Sequence, residues 1–242
     1  MVGLLNIRRS FLGKIIVMGI RKSPFAVGEY YHLYSRGVDK RKIFLSADDE
    51  NRFIRLLYLC NGTKPIIYRD MQNQLLLSIE KGESRTAIGA YCLMQNHFHL
   101  LVKETTEGGI TIFMRKLLTA YSSYFNKKYD RAGSLFGSEF KSVHLDTDEY
   151  LKYMFSYIHL NPIKILDSEW HVNGVDRQQA EAFLGRYKGS SYPDYSGQGR
   201  EESLILNKLA FPEYFIDSKE FKSNIFEWLS PPFQGPSLEN WG

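Results

Sequence analysis

Residues 87–103 read AIGAYCLMQNHFHLLVK. Ala87 to Met94 is apolar almost throughout and reads as a buried strand. Gln95-Asn96 supplies a two-residue turn, so His97 to Lys103 reads as the antiparallel neighbour. Side chains at i and i+2 of a strand share one face, roughly 6.5–7 Å apart along it. His97 and His99 therefore point the same way, while Phe98 and Leu100 point to the opposite face, into the core. Two imidazoles so placed can share a metal ion. They can equally be two half-exposed histidines on a sheet.

Outward from this hairpin the chain alternates strands and helices. Tyr30 to Arg36 is aromatic and strand-like, ended by Gly37. Ser46 with Asp49 resembles a capping box, and Phe53, Leu56, Leu57 and Cys60 follow at helical spacing. Residues 61–85 are ambiguous; Ile66–Tyr68 and Leu75–Ile79 fit a small hairpin. Phe113, Leu117, Ala120, Tyr121 and Tyr124 mark a second helix. Gly133 and Gly137 bracket a loop, and Phe140 to Leu145 reads as a further strand. Asp146 with Glu149 is the expected cap of a third helix, which should end at Asn161-Pro162 because the residue before proline leaves the helical region. The order implies an α+β fold: an antiparallel sheet with helices on one face, ferredoxin-like or RNA-recognition-like. Residues 25–165 form the expected compact domain. Residues 1–24 are an N-terminal extension expected to be poorly ordered, with Met18 as a candidate true start. Residues 166–242 are a loop and a helical tail. Within them, residues 185–203 hold four Gly and four Ser, a loop composition. Phe211, Tyr214, Phe215, Phe221, Phe226 and Trp228 fit a short helix that packs back.

Charge is informative only when divided. The whole chain of 242 residues carries a formal net charge of +4. Residues 1–60 carry 11 Lys/Arg against 5 Asp/Glu, and residues 181–242 carry 6 against 9. A basic front and an acidic tail fit one face that meets an anion. Cys60 and Cys92 sit among apolar neighbours, too few for a disulfide framework, which points to buried thiols and a reducing cytoplasm. No run of 18 apolar residues exists to span a membrane, and Ile15 to Ile20 is too short for a signal-peptide core.

The third helix supports the histidine pair. Leu151, Met154, Phe155 and Ile158 form its core face. Tyr150, Tyr153, Tyr157 and Asn161 form a stripe at the margin, with Tyr157 and Asn161 one turn apart. Beside two imidazoles, an amide oxygen is a third ligand and a phenol is a nucleophile. Tyrosines also line core margins for packing alone, and Asn before Pro is an ordinary helix stop.

Four segments carry a resemblance: Tyr30–Val38 (YYHLYSRGV), Tyr91–Val102 (YCLMQNHFHLLV), Arg131–Ser142 (RAGSLFGSEFKS) and Tyr157–Lys164 (YIHLNPIK). A weaker echo is Tyr187–Tyr195 (YKGSSYPDY), where relatives tend to show Trp at the position of Gly189. Together they resemble the single-tyrosine HUH (His-hydrophobe-His) transposases, in particular the REP-associated tyrosine transposase branch, over roughly residues 25–200. Residues 61–86 are longer than that family's pattern. The resemblance implies an HUH endonuclease fold and DNA transposition: cleavage and strand transfer of single-stranded DNA, at hairpin or repeat ends, through a 5′-phosphotyrosine intermediate. It implies Tyr157 as the nucleophile, His97, His99 and Asn161 as metal ligands, and Mg²⁺ or Mn²⁺ as the metal. Family members act as dimers or monomers, so a homodimer stays open.

Candidate DNA contacts are Arg36, Lys40, Arg41 and Lys42 after the first strand, Arg115, Lys116, Lys127, Lys128 and Arg131 around the second helix, and Lys141 before the third. Such groups give salt-dependent backbone affinity; each also fits a solvated surface charge. Tyr34, Tyr121 and Tyr124 fit base stacking or core packing. His32, on the first strand, fits orientation of a ligand if that strand neighbours the pair, and plain packing equally. The alternatives are a rolling-circle replication initiator or relaxase-type nickase, a metal-dependent hydrolase acting through water, and a non-catalytic nucleic-acid-binding module.

Overall fold

The structure is a computed structural model and describes residues 24–65, 67–213 and 218–227. The expectations for residues 1–23, Met18 as a start, and the packing of Tyr214, Phe215 and Trp228 lie outside these. Four strands form one antiparallel sheet: β1 (Tyr30–Arg36), β2 (Thr86–Met94), β3 (His97–Glu104) and β4 (Lys141–His144). Their spatial order is β2-β3-β1-β4. With one helix after β1 and one after β3, this is the ferredoxin-like arrangement the sequence implies.

Both helices that connect the strands lie on one face. They are α1 (Ala47–Cys60) and α3 (Gly109–Lys128), and they close a core with Leu33, Tyr91, Phe98, Leu100 and Val102. The expected capping box is present at Ser46 and Asp49. Asp49 does more than cap. Its fully buried carboxylate accepts from Leu45 N (2.8 Å), Ser46 N (3.1 Å), Tyr124 Oη (2.9 Å), Tyr129 Oη (2.7 Å) and Lys128 Nζ (2.7 Å). Burial works to raise its pKa, but these donors hold it below the usual carboxylate value. One side chain thus clamps the start of α1 to the end of α3.

Residues 61–85 do not form the expected hairpin. Tyr68–Met71 is a single helical turn, α2, and Leu76–Ser78 is a 3₁₀ turn. Arg55 donates to Met71 O (2.9 Å) and Gln74 O (2.6 Å), which ties this segment to α1. The Leu76 amide meanwhile donates to the Glu201 carboxylate.

The other face of the sheet is covered too, which the one-sided expectation missed. α4 (Asp148–Leu160) packs there with α5 (Trp170–Asn173), α6 (Arg177–Arg186), α7 (Tyr192–Tyr195) and α8 (Ser218–Phe226), around Ala90, Cys92, Leu101, Met154, Ile158, Tyr192 and Phe221. The α4 cap is Thr147, whose Oγ1 accepts from Tyr150 N (3.1 Å), not Asp146. Nor does Asn161 leave the helical region: its φ/ψ is −52/−38, and the chain runs on as a 3₁₀ turn, Asn161–Ile165. Pro162 is tolerated because at a helix end its missing amide loses little. The Gly/Ser-rich stretch is not a free loop either. Leu93 N donates to Gly189 O (2.8 Å) and Ser191 N to Tyr91 O (3.0 Å), so it seals the outer edge of β2. Gly89 sits at a bulge in β2 and leaves room for the Phe211 ring, 2.5 Å from where a Cβ would stand. Cys60 and Cys92 are buried free thiols in the two separate cores. No helix among the described residues is long and apolar enough to cross a membrane.

Asp49→Ala should cost about 3 kcal/mol or more, because it strands Lys128 and removes the α1 cap together. Urea unfolding measures this, and a loss under about 1 kcal/mol contradicts the clamp.

Candidate functional site

Strand parity builds the site. Phe98, Leu100 and Val102 of β3 enter the α1/α3 core, so His97, His99 and Leu101 face α4. β1 runs antiparallel beside β3, with Tyr34 opposite His99 and Arg36 opposite His97. His32 shares that face of β1, and its Nε2 lies 2.9 Å from His99 Nδ1. His97 Nδ1 donates to the Asn96 side-chain oxygen at 2.6 Å. From α4, Tyr157 meets His99 edge-on, with ring centroids 5.4 Å apart at 81°, and stacks along the helix on Tyr153. Asn161 follows one turn later, almost wholly buried. The four residues read from the sequence as catalytic and metal-binding are therefore brought to one place.

The place is dry, and the charges respond. Burial lowers the pKa of His32 to about 3. Burial, with Arg36 and Lys164 adding to it, lowers His97 to about 3 as well. His99 lies well below its usual value for the same leading reason, with His97 and His32 next. All three are neutral imidazoles near pH 7. Burial raises the Tyr157 phenol to about 12, while the Asn161 amide and Arg36 draw it back down. The Lys164 ammonium lies 5.3 Å from the centre of the Tyr157 ring. Burial holds it below the usual lysine value, Cys92 opposing and Arg36 adding to the shift.

The donor set is of the kind that a divalent cation can use. Because an amide oxygen only accepts, His97 carries its proton on Nδ1, which leaves Nε2 with a lone pair. The Nε2 atoms of His97 and His99 are both buried with no hydrogen-bond partner among the described residues. Two imidazole nitrogens and an amide oxygen would leave positions open for further oxygen ligands. Among the described residues no group of three or more His, Cys, Asp or Glu is arranged to hold a metal ion.

The basic candidates divide. Arg36 is at the site, and Lys141, opposite Tyr34 on β4, places its ammonium 5.8 Å from the Tyr34 ring. Lys40, Arg41 and Lys42 are exposed around the turn after β1. Arg115, Lys116, Lys127, Lys128 and Arg131 belong to α3 and its end, on the far layer. Three of them hold the fold together: Lys116 Nζ donates to Gly62 O (2.9 Å), Lys128 to Asp49, and Arg131 to the Asn126 side-chain oxygen (2.9 Å). Tyr121 is core, its hydroxyl donating to Ile43 O, and Tyr124 serves Asp49. Lys164 was not singled out by the sequence, although it follows Tyr157 at i+7 and Asn161 at i+3. Ending the helix at Pro162 hid that spacing. His159 is buried structure: Nδ1 donates to Phe155 O (2.9 Å), and Nε2 accepts from Ser191 Oγ (2.8 Å).

A family model described as "Transposase IS200 like" matches residues 30–161. Among solved structures, that of "the REP associates tyrosine transposase bound to a REP hairpin" is 13% identical, covering 76% of this chain and 90% of that one, with a TM-score of 0.47. The tRNA(His) guanylyltransferase from Saccharomyces cerevisiae is 13% identical, covering 80% and 85%, with a TM-score of 0.32. No curated protein matches the chain.

The buried imidazoles set the acid limb of stability. His32, His97 and His159 stay neutral in the fold down to about pH 3. In the unfolded chain they take up a proton near their reference pKa of ~6.5. Their contribution is therefore whole above that pH and is lost as pH falls toward 3, by up to about 1.4 kcal/mol per pH unit for each group. Thermal melts without divalent cation should show Tm falling steadily below pH 6.5. A flat Tm down to pH 4.5 would contradict neutral buried imidazoles.

Proposed function

We propose, for a chain that belongs to the IS200-like transposase family, that it cleaves and rejoins single-stranded DNA through a covalent link to Tyr157. The observation that carries this reading is the Tyr157 ring set edge-on against His99 beside His97 and Asn161. Nothing in such a group of neutral donors and nearby cations repels a phosphodiester. Among the described residues, no carboxylate lies within ion-pair distance of Arg36 or Lys164.

Tyr157 attacks phosphorus. The Tyr157 O–P bond forms as the P–O3′ bond breaks, the phenolic proton passes to water, and the departing 3′-oxygen takes one up. The product is a 5′-phosphotyrosine and a free 3′-hydroxyl. The bond energy is kept, because a phenolate leaves more readily than an alkoxide, so a 3′-hydroxyl can reverse the step and join strands without a nucleotide cofactor. His97, His99 and Asn161 would hold Mg²⁺ or Mn²⁺, which supplies Lewis-acid charge to the scissile phosphate when bound. His32 fixes the ring of His99, which favours one orientation of its Nε2. The REP-associated resemblance points to hairpin or repeat ends as substrate and leaves a homodimer open. Two buried unlinked thiols suit a reducing cytoplasm.

Tyr157→Phe should abolish the covalent protein–DNA adduct formed with labelled hairpin-bearing single strands and Mn²⁺, and leave DNA affinity within about threefold. An undiminished adduct on a denaturing gel removes Tyr157 from the role. Adduct-free nicking by the wild type would favour a water-activating hydrolase. His99→Ala should weaken Mn²⁺ binding at least tenfold, read by electron paramagnetic resonance; unchanged binding contradicts the ligand set.

A further inference from the structure

Lys164 is a cation in an unusual position. The 3₁₀ turn Asn161–Ile165 extends α4 past Pro162 and keeps Lys164 beside Tyr157, its ammonium 5.3 Å from the ring centre. It is half-buried, and among the described residues it has no hydrogen-bond or ion-pair partner. Arg36 faces the same site from β1, opposite His97, and its buried Nε also has no partner among the described residues. Each cation works against protonation of the two ligand imidazoles. Two like charges partly withdrawn from water, with no counter-ion, oppose folding. A contact between an ammonium and a ring does not explain them, since an apolar side chain would cover Tyr157 without that cost. What compensates such a pair is an anion held between them.

We propose that Lys164, with Arg36, is the binding wall for the scissile phosphate: its ammonium pairs with a non-bridging oxygen and lies beside the oxygen of Tyr157 as that oxygen attacks. The proposal rests on the covalent Tyr157 reading and assigns the cation that this reading needs. As the O–P bond forms, negative charge grows on the non-bridging oxygens. An ammonium already fixed beside them stabilises that charge more than it stabilises the free chain. Arg36 approaches from the other side and holds the phosphate in place.

The test uses the oligonucleotide and the linkage that the wild-type chain cleaves. In a Tyr157→Phe background, that one linkage is supplied as phosphodiester or as an uncharged methylphosphonate, and affinity is read by fluorescence anisotropy. With Lys164 present, the methylphosphonate should bind about tenfold more weakly; with Lys164→Met, which keeps the stem over the ring, the difference should shrink to less than about twofold. The same tenfold difference in both overturns the contact. With Tyr157 restored, Lys164→Met should slow single-turnover adduct formation about 100-fold, and Lys164→Arg should recover at least tenfold of that loss. Neither Tm nor Mn²⁺ affinity should fall below the wild type, since Lys164→Met removes an uncompensated cation. A wild-type adduct rate in Lys164→Met, or a rate loss matched by a loss of Mn²⁺ affinity or of Tm, overturns the proposal. A wild-type chain that forms no adduct overturns instead the covalent reading on which it rests.

Discussion

The whole arrangement depends on the parity of one strand. β3 is central, and both its faces are buried, so alternate residues must suit two different cores. Phe98, Leu100 and Val102 fill the core under α1 and α3, and His97, His99 and Leu101 face α4. A slip of one residue against β1 would exchange the two sets. It would drive imidazoles into an aromatic core and turn Phe98 toward the site. The apolar set therefore pins the position of the polar one, and the histidines need no local device to aim them. What they do need is hydrogen bonding. Two fully buried imidazoles, His32 and His99, share one hydrogen bond across the strand pair at 2.9 Å. The same bond that makes the burial tolerable also fixes the ring that faces Tyr157.

The second layer makes the site chemically strong as well as covered. α4 lies over the sheet only because the chain beyond it returns. His159 binds α4 to Ser191, whose hydroxyl also accepts from Tyr91 N (3.0 Å). Arg200 and Asp194 then join the returning segment to the Tyr91 hydroxyl. The segment after residue 165 is thus part of the layer that covers the candidate site. By excluding water it keeps the histidines neutral and raises the Tyr157 phenol. A raised phenol alone is a poor nucleophile, so dryness is useful only if cations share the space. Low dielectric then magnifies their pull on developing charge.

What the sequence revealed followed from periodicity. Strand alternation at residues 97–103, the Ser46–Asp49 box and the i, i+3, i+4 spacing of α1 are local signals, and each was legible. The stripe Tyr150–Tyr153–Tyr157–Asn161 was legible for the same reason. The misses arose where a local rule met a tertiary constraint. Proline biases its predecessor away from the helix, yet Asn161 stays helical because the site end of α4 is packed against the sheet, and this hid Lys164. Gly and Ser in residues 185–203 signalled a loop, but the free edge of β2 bound that segment. In residues 61–85 short helical turns at 68–71 and 76–78 stand where a hairpin was expected, and Arg55 ties residues 71 and 74 to α1 from outside that window.

Charge shows the difference between counting and placing. The cations of α3 looked like a binding stripe, yet Lys128 is bound to Asp49 and Lys116 to a backbone carbonyl. These two join α3 to α1 and to the segment after α1. A net charge of +4 is likewise too small to draw a polyanion over any distance. Screening at physiological salt acts on exposed charges beyond roughly 8 Å, and far less on half-buried ones. The informative quantity is therefore the local imbalance that folding leaves behind. At Arg36 and Lys164 the fold leaves two half-buried positive groups with no carboxylate within ion-pair distance among the described residues, and the ring of Tyr157 stands beside Lys164.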